Sequence, residues 1–440
     1  MRRMAGTVHR RIAIGLVPVL ALLLAACGGG STTAKHQHVT ITFLTHYNQP
    51  PLSTIAQSVA KKFEKAHPGV TVKIEALESG TEDAKFQTLA SAGDPPDVFD
   101  MDNVFGADLL SKGVLSPVDY GAAGYSSQAA FQKAYVNGAL TGYTSGGKVY
   151  GIPAEYSNYL AWDNVKAFTG AGLSVPKTWG QVCQDGPKMT QSKNGKITQE
   201  EVALPTNLPG GQYIALDAIT KEFGEPLINA AGTKSNLTSG AVIKAMTMLQ
   251  NLVYTCHAAY PSLNSSEQGA DRLVYESGQA AMLLTGGSWF TGGLDSSYPA
   301  LKPPVSQPEP YPTQAGVPPA NISYGYAYVV PKAAPNQQLD WAFAAALGND
   351  GAAWFNGGGL YTGQTVVNKS SAAKSFPYWN STWAPALSHA TYMGNLVQGN
   401  QIDDIVGAAF DNIIENHADV KSTMQSANSQ VQPLLNQKPI

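Results

Sequence analysis

Val39-Thr40-Ile41-Thr42-Phe43-Leu44 mixes β-branched and apolar residues in the manner of a strand. Beyond a Pro50-Pro51 turn, Ile55, Val59 and Phe63 recur at helical spacing. His67-Pro68-Gly69 stops that helix, because proline cannot continue it. Val70-Thr71-Val72-Lys73-Ile74 reads as a second strand. A strand, an amphipathic helix and a strand in succession make a βαβ unit, hence a parallel sheet covered by helices. The fold class is α/β.

Working outward, Phe86 to Ala92 reads as a helix end, Asp97-Val98-Phe99 as a short buried strand, and Val149 to Pro153 as a strand leaving this region. Ala241 to Cys256 carries Val242, Met246, Leu249 and Val253 on one helical face. Ala280-Ala281-Met282-Leu283-Leu284 is a buried strand ending at Gly286-Gly287-Ser288-Trp289. Residues 299–320 are proline-rich and read as a long irregular connection. Tyr326 to Val330 is a strand, Trp341 to Leu347 a helix, and Ile402 to Leu435 a helical tail.

Composition narrows the function. Of 440 residues 13% are charged, well below the usual quarter, and 9% are aromatic, which argues for packed cores. Arg2, Arg3, Arg10 and Arg11 precede the first carboxylate, Glu64; setting them aside leaves 24 basic against 31 acidic residues, with Arg272 as the one arginine of the body. Phosphate contacts are built from Lys and Arg, so nucleic-acid binding is excluded. No G-x-x-x-x-G-K-[ST], G-x-S-x-G or H-E-x-x-H occurs, which argues against ATP binding and against common hydrolases. No cofactor and no metal site are expected; His36-Gln37-His38 reads as polar filler.

Residues 1–26 read as a signal peptide: a basic start, an apolar run from Ile12 to Ala26, then small residues. Leu24-Ala25-Ala26-Cys27 resembles the bacterial lipobox, which implies lipidation of Cys27 and attachment to the outer face of the cell membrane. Residues 27–37, opening Gly28-Gly29-Gly30-Ser31, form a flexible tether. The two remaining cysteines, Cys183 and Cys256, either pair in one disulfide or stay as buried thiols.

Six segments in order carry a wider resemblance: Phe63 to Val70, Gly93-Asp94-Pro95-Pro96-Asp97-Val98-Phe99, Gly113 to Asp119, Lys148-Val149-Tyr150-Gly151-Ile152-Pro153, Pro176-Lys177-Thr178-Trp179, and Glu276 to Met282 with Gly287-Ser288-Trp289. Together they resemble the extracellular family 1 solute-binding proteins of bacterial ABC importers, the group that includes maltose-binding protein. That resemblance implies a two-lobed clamshell of type II with several inter-lobe crossings. Lobe one would hold residues 38–152 plus 322–347, and lobe two 153–321 plus 348–440. Ligand would be enclosed by hinge closure and delivered to a membrane permease with separate ATPase subunits, without chemistry. Positions matching Asp102, Glu155 and Trp289 contact sugar in such proteins.

The residue types agree with a sugar site, which needs carboxylates and amides for hydroxyls and aromatic faces for C–H patches, on loops at the carboxyl ends of strands. Tyr47 follows the first strand, Asp102 and Asn103 the third, Glu155 and Asn158 stand at the first crossing, Trp289 ends a buried strand, and Tyr324 marks the return crossing. Glu78 and Tyr361 complete the set of candidates. Each has a plainer alternative: Trp289 or Tyr47 as core rings, Glu155 as a hinge-surface carboxylate, Asp102 and Asn103 as helix caps. Trp379 and Trp383, four apart, fit either a core stripe or cleft walls. Arg272 precedes a helix-like stretch and is expected off the cleft. Anionic ligands recruit a guanidinium fork, so a neutral mono- or oligosaccharide is favoured. A polyamine or other cationic solute, or a sensor without a transporter, are the alternative readings.

Overall fold

The structure is a computed structural model that describes residues 38–208, 211–263, 269–394 and 396–436. The stretch read as a signal peptide, Cys27 and the expected tether to residue 37 lie outside the described residues. Residues from His38 onward form one compact unit.

The opening stretch folds as its periodicity dictates. Strand β1 (Val39–Thr45) and β2 (Val70–Ala76) pair in parallel from Val39–Val70 onward, joined by helix α1 (Leu52–Ala66). Ala56, Val59, Ala60 and Phe63 form the buried stripe of α1. The helix ends at His67, whose N–H reaches back to the Phe63 and Glu64 carbonyls before Gly69 turns the chain at φ 90°. Helix α2 (Thr81–Ser91) leads to β3 (Val98–Asp102), parallel to β1, and β3 passes straight into α3 (Asn103–Lys112).

Strand β4 (Ile152–Asn158) is buried along its whole length and, after Tyr159, β5 (Leu160–Asn164) begins a second sheet. That sheet adds β6 (Gln191–Lys193), β7 (Lys196–Ala203), β8 (Ala280–Gly286) and β9 (Ser306–Glu309), in the order β9-β5-β8-β7-β6. The chain returns to the first sheet through β10 (Ile322–Val329), antiparallel to both β3 and β4, with a two-residue strand β11 (Thr391–Tyr392) beside it.

Helices cover the second sheet: α4 (Trp179–Met189), α5 (Gly211–Glu222), α6 (Gly240–Tyr254), α7 (Ala270–Glu276) and α8 (Phe290–Ser297). The apolar stripe of α6 is buried, and a disulfide joins Cys183 of α4 to Cys256 just past α6. Helix α9 (Gln337–Asn349) packs on the first sheet, and α10 (Gly351–Gly358) packs on α1, where a side chain at Gly358 would collide with Leu52.

Three readings of the sequence differ from the structure. The connection 299–320 contains β9, an edge strand that accommodates Pro308 because its outer side needs no ladder hydrogen bond. The tail is two helices, α11 (Gly399–Glu415) and α12 (Val420–Leu435); His417 at φ 53° breaks it, and the Asp419 side chain accepts the Ser422 N–H to start the second. The crossing falls at Tyr159 rather than at residue 152, because β4 continues its pairing with β10 as far as Asn158 with Ser323.

Candidate functional site

The carboxyl ends of the parallel strands converge on one 410 Å³ cavity. Its wall on the first sheet comes from the loop after β2 (Glu78, Ser79, Gly80), from Asp83 in the first turn of α2, and from Asp102 and Asn103 at the β3–α3 junction. Tyr324 and Tyr326 project from β10, where Tyr326 is the register partner of Asp102. The opposite wall comes from Tyr159 at the crossing, the start of α5, Arg272 of α7, and Asn400, Asp403 and Asp404 of α11. Such a volume, with a few convergent polar groups, is the size of a small-molecule site.

Four of the candidates read from the sequence therefore meet here: Glu78, Asp102, Asn103 and Tyr324. Glu155 lies one step behind. It is 3% exposed, lines an adjoining 10 Å³ recess with Asn103 and Tyr324, and leaves its Oε1 without a hydrogen-bond partner. Trp289 is half-buried and also stands behind the wall. Its Nε1 donates to the Tyr324 hydroxyl at 2.7 Å, and the Arg272 guanidinium lies 4.8 Å from the centre of its ring. The close approach of Trp289 and Tyr324 depends on Gly287, where a Cβ would come within 2.5 Å of both the indole nitrogen and the hydroxyl.

The other candidates sit elsewhere. Tyr47 turns under its loop into the first core, its hydroxyl 3.0 Å from that of Tyr328 and its ring tilted against Trp354 at 4.8 Å. Its neighbour His46, in the bend just past β1, turns instead to Asp100, as Thr45 does. Asn158 is fully buried at the crossing, with its amide donating to Asn321 at 3.3 Å. Tyr361 packs edge-on against Trp379 at 4.7 Å, within the core. Trp379 and Trp383 are core rings too, Trp383 lying 5.9 Å from Trp162.

Arg272 corrects the sequence reading. It was expected off the cleft, yet it lines the cavity. Helix α7 is short and points its N-terminus at the cavity, so a long side chain from its first turn reaches the wall. Its Nη2 lies 3.4 Å from the Tyr159 hydroxyl. Asp83, Tyr159, Asn400, Asp403 and Asp404 were not singled out at all. Acidic residues on a helix ordinarily mark a solvated face, and nothing local in the sequence sets these apart.

A buried charge cluster supports the wall from below. His46 Nδ1 is 2.8 Å from Asp100 Oδ2, which also accepts the Thr45 hydroxyl at 2.8 Å. Burial pushes His46 down, but Asp100 outweighs it, with Glu82 and Glu155 adding, and its pKa is raised to about 9. Burial raises Glu155 to about 7, against the pull of His46 and the hydrogen bond from Tyr324.

The signs agree. His46 contributes stability that is fully present below its ordinary 6.5 and lost as pH rises through about 9. Glu155 binds its proton more tightly when folded, so stability is also lost between 4.5 and about 7. Denaturant unfolding is expected to show stability falling from pH 5 to pH 10. His46→Gln is expected to remove roughly 2 kcal/mol of the fall above pH 6.5. An unaltered profile in that variant would contradict the ion pair.

Comparison with known proteins gives consistent relatives. The model of bacterial extracellular solute-binding proteins matches residues 48–354. A curated protein, the putative ABC transporter periplasmic-binding protein YcjN of Escherichia coli (strain K12), is 25% identical over 241 residues, covering 54% of this chain and 54% of that protein. The chain thus spans about half the length of this relative. Among solved structures, the GacH receptor of Streptomyces glaucescens GLA.O, studied unliganded and in complex with acarbose, has a TM-score of 0.78 at 20% identity, covering 90% of this chain and 98% of that one. An ABC transporter solute-binding protein from Thermotoga lettingae TMO, bound with alpha-D-tagatose, has a TM-score of 0.79 at 21% identity, covering 90% and 100%. The shared fold is a two-lobed α/β arrangement built on two open sheets.

Proposed function

The chain belongs to the bacterial extracellular solute-binding protein family, and we propose that it captures a mono- or oligosaccharide in the cavity between its two sheets and delivers it to an ABC-importer permease. One observation carries the ligand class: carboxylates and amides (Asp102, Asn103, Asn400) share the cavity wall with three tyrosines, Tyr159, Tyr324 and Tyr326. Sugar hydroxyls donate to carboxylates and exchange hydrogen bonds with amides, while ring faces cover C–H patches. The acarbose and alpha-D-tagatose ligands of the two structural relatives above are of the same class.

An anionic ligand is disfavoured for a reason other than the one read from the sequence. Arg272 is present, but its guanidinium is engaged by Trp289 and Tyr159, and carboxylates outnumber it around the cavity. Lobe one comprises residues 38–158 and 322–358 in this reading, and lobe two centres on 160–309 and 399–435. Hinge closure about Tyr159 and the strand β10 encloses the ligand. The location is extracytoplasmic, as the family implies, with Cys27 as the lipid anchor, and the protein binds without catalysing a reaction.

A thermal-shift panel of saccharides, sugar phosphates and polyamines tests this. A saccharide present at about 100 times its dissociation constant should add about 2.7 kcal/mol to stability. A response to sugar phosphates alone would overturn the proposal. Trp289 acts in this account as the backing for Tyr324 and Arg272. Trp289→Ala is expected to lower saccharide affinity about tenfold, near 1.5 kcal/mol, by calorimetry. Unchanged affinity would remove Trp289 from the site.

A further inference from the structure

Charge around the cavity is one-sided. Among the described residues Glu78, Asp83, Asp102, Asp403 and Asp404 line it, against the single guanidinium of Arg272. Arg272 is already stacked over Trp289 and next to Tyr159. Asp403 is in use as well, accepting the Tyr213 N–H at the start of α5 at 3.2 Å.

Asp83 differs from these. It is 5% exposed, lies in the cavity wall, and leaves Oδ1 without a hydrogen-bond partner. A buried carboxylate oxygen left unpaired costs free energy that a bound donor would recover. Helix N-termini facing the cavity offset part of the negative charge, at about half a charge each and within the first turn only. Five such ends, on α2, α3, α5, α7 and α11, leave the lining negative when all five carboxylates are ionised. Burial, then the charges of Asp102 and Glu82, push the Asp83 carboxyl well above the usual carboxylate range, as expected where acids crowd without a cation.

Carboxylates only accept, and an alkylammonium only donates. We propose that the saccharide captured here carries a protonated amine, held by Asp83 together with Asp102 and Asp404, an inference that rests on the saccharide reading above. The tyrosines and the amides of Asn103 and Asn400 then serve the remaining hydroxyls, which a simple polyamine would leave without partners.

The test is calorimetry of the full chain with matched pairs in which an amine replaces one hydroxyl per sugar ring: D-glucosamine against D-glucose, and the glucosamine disaccharide against cellobiose, with spermidine alongside. The amino member of a pair is expected to bind at least about tenfold tighter, as a charge-assisted contact requires. Asp83→Asn is expected to cut that preference to about threefold or less; Asp404→Asn serves if the first variant does not fold. Equal binding of both members would overturn the inference and leave the saccharide reading standing. Binding of spermidine alone would overturn both. Failure of every amine to bind while a neutral saccharide binds would overturn the inference only; failure of amines and saccharides together would overturn both.

Discussion

Gly325→Ala is expected to destabilise the protein by about 3 kcal/mol, at the upper end of what overpacking costs. Gly325 lies in β10 opposite Tyr156, where β10 and β4 run antiparallel at the crossing between the sheets. A Cβ there would collide with the carbonyl oxygen of Glu155 and sit 3.1 Å from its carbonyl carbon. Both obstacles are backbone, so no rotamer change relieves them. The strands would have to separate where the register already shifts, between Tyr326 and Ala327. Because Glu155 and Tyr324 flank the contact, ligand affinity should fall along with stability. Gly293→Ala in α8 is the control, since a Cβ there meets nothing within 4 Å. Denaturant midpoints at constant slope measure both. A Gly325→Ala cost no greater than that of Gly293→Ala would contradict the close pairing.

The second large effect concerns binding. Tyr324→Ala is expected to weaken saccharide affinity by about 3 kcal/mol, roughly 150-fold. The side chain lines the cavity, accepts the Trp289 Nε1–H at 2.7 Å, and shares the recess behind with Glu155. Truncation removes an aromatic contact and leaves the indole N–H of Trp289 without its partner. Tyr324→Phe keeps the ring and loses only the hydroxyl, so about tenfold is expected there. Calorimetric titration of both variants separates the contributions. Equal, small losses in the two would place Tyr324 outside the site.

The parts of this account legible in the sequence are those with a local signature. The βαβ opening could be read because Ile55, Val59 and Phe63 repeat at helical spacing and Pro68-Gly69 ends the repeat. Glu78, Asp102, Asn103 and Tyr324 were legible because the ends of strands in an open α/β sheet face the crevice. Tyr47 misled, since a tyrosine at a strand end suits either a cleft or a core, and the bend after Thr45, which sets His46 on Asp100 and Tyr47 against Tyr328 and Trp354, decides between them. Tyr361 and Asn158 misled for a similar reason: Tyr361 is buried against Trp379 and Asn158 against β10, contacts that their own segments do not announce. Asp83, Asp403 and Asp404 become neighbours only through tertiary folding, with α2 and α11 more than 300 residues apart in the chain. The position of Arg272 hinged on the direction of a seven-residue helix, which spacing does not encode.

In the proposed function one cavity, walled by Asp102 and Tyr324 on one side and Tyr159 and Asp404 on the other, holds the ligand. A crystal structure of the protein with the tightest saccharide from the binding panel tests it most directly. Sugar density is expected in that cavity, with oxygens or an amine within hydrogen-bond distance of Asp102 and of Tyr324. Density at another place, such as the groove beside the Cys183–Cys256 disulfide lined by Ile243 and Met248, would contradict it.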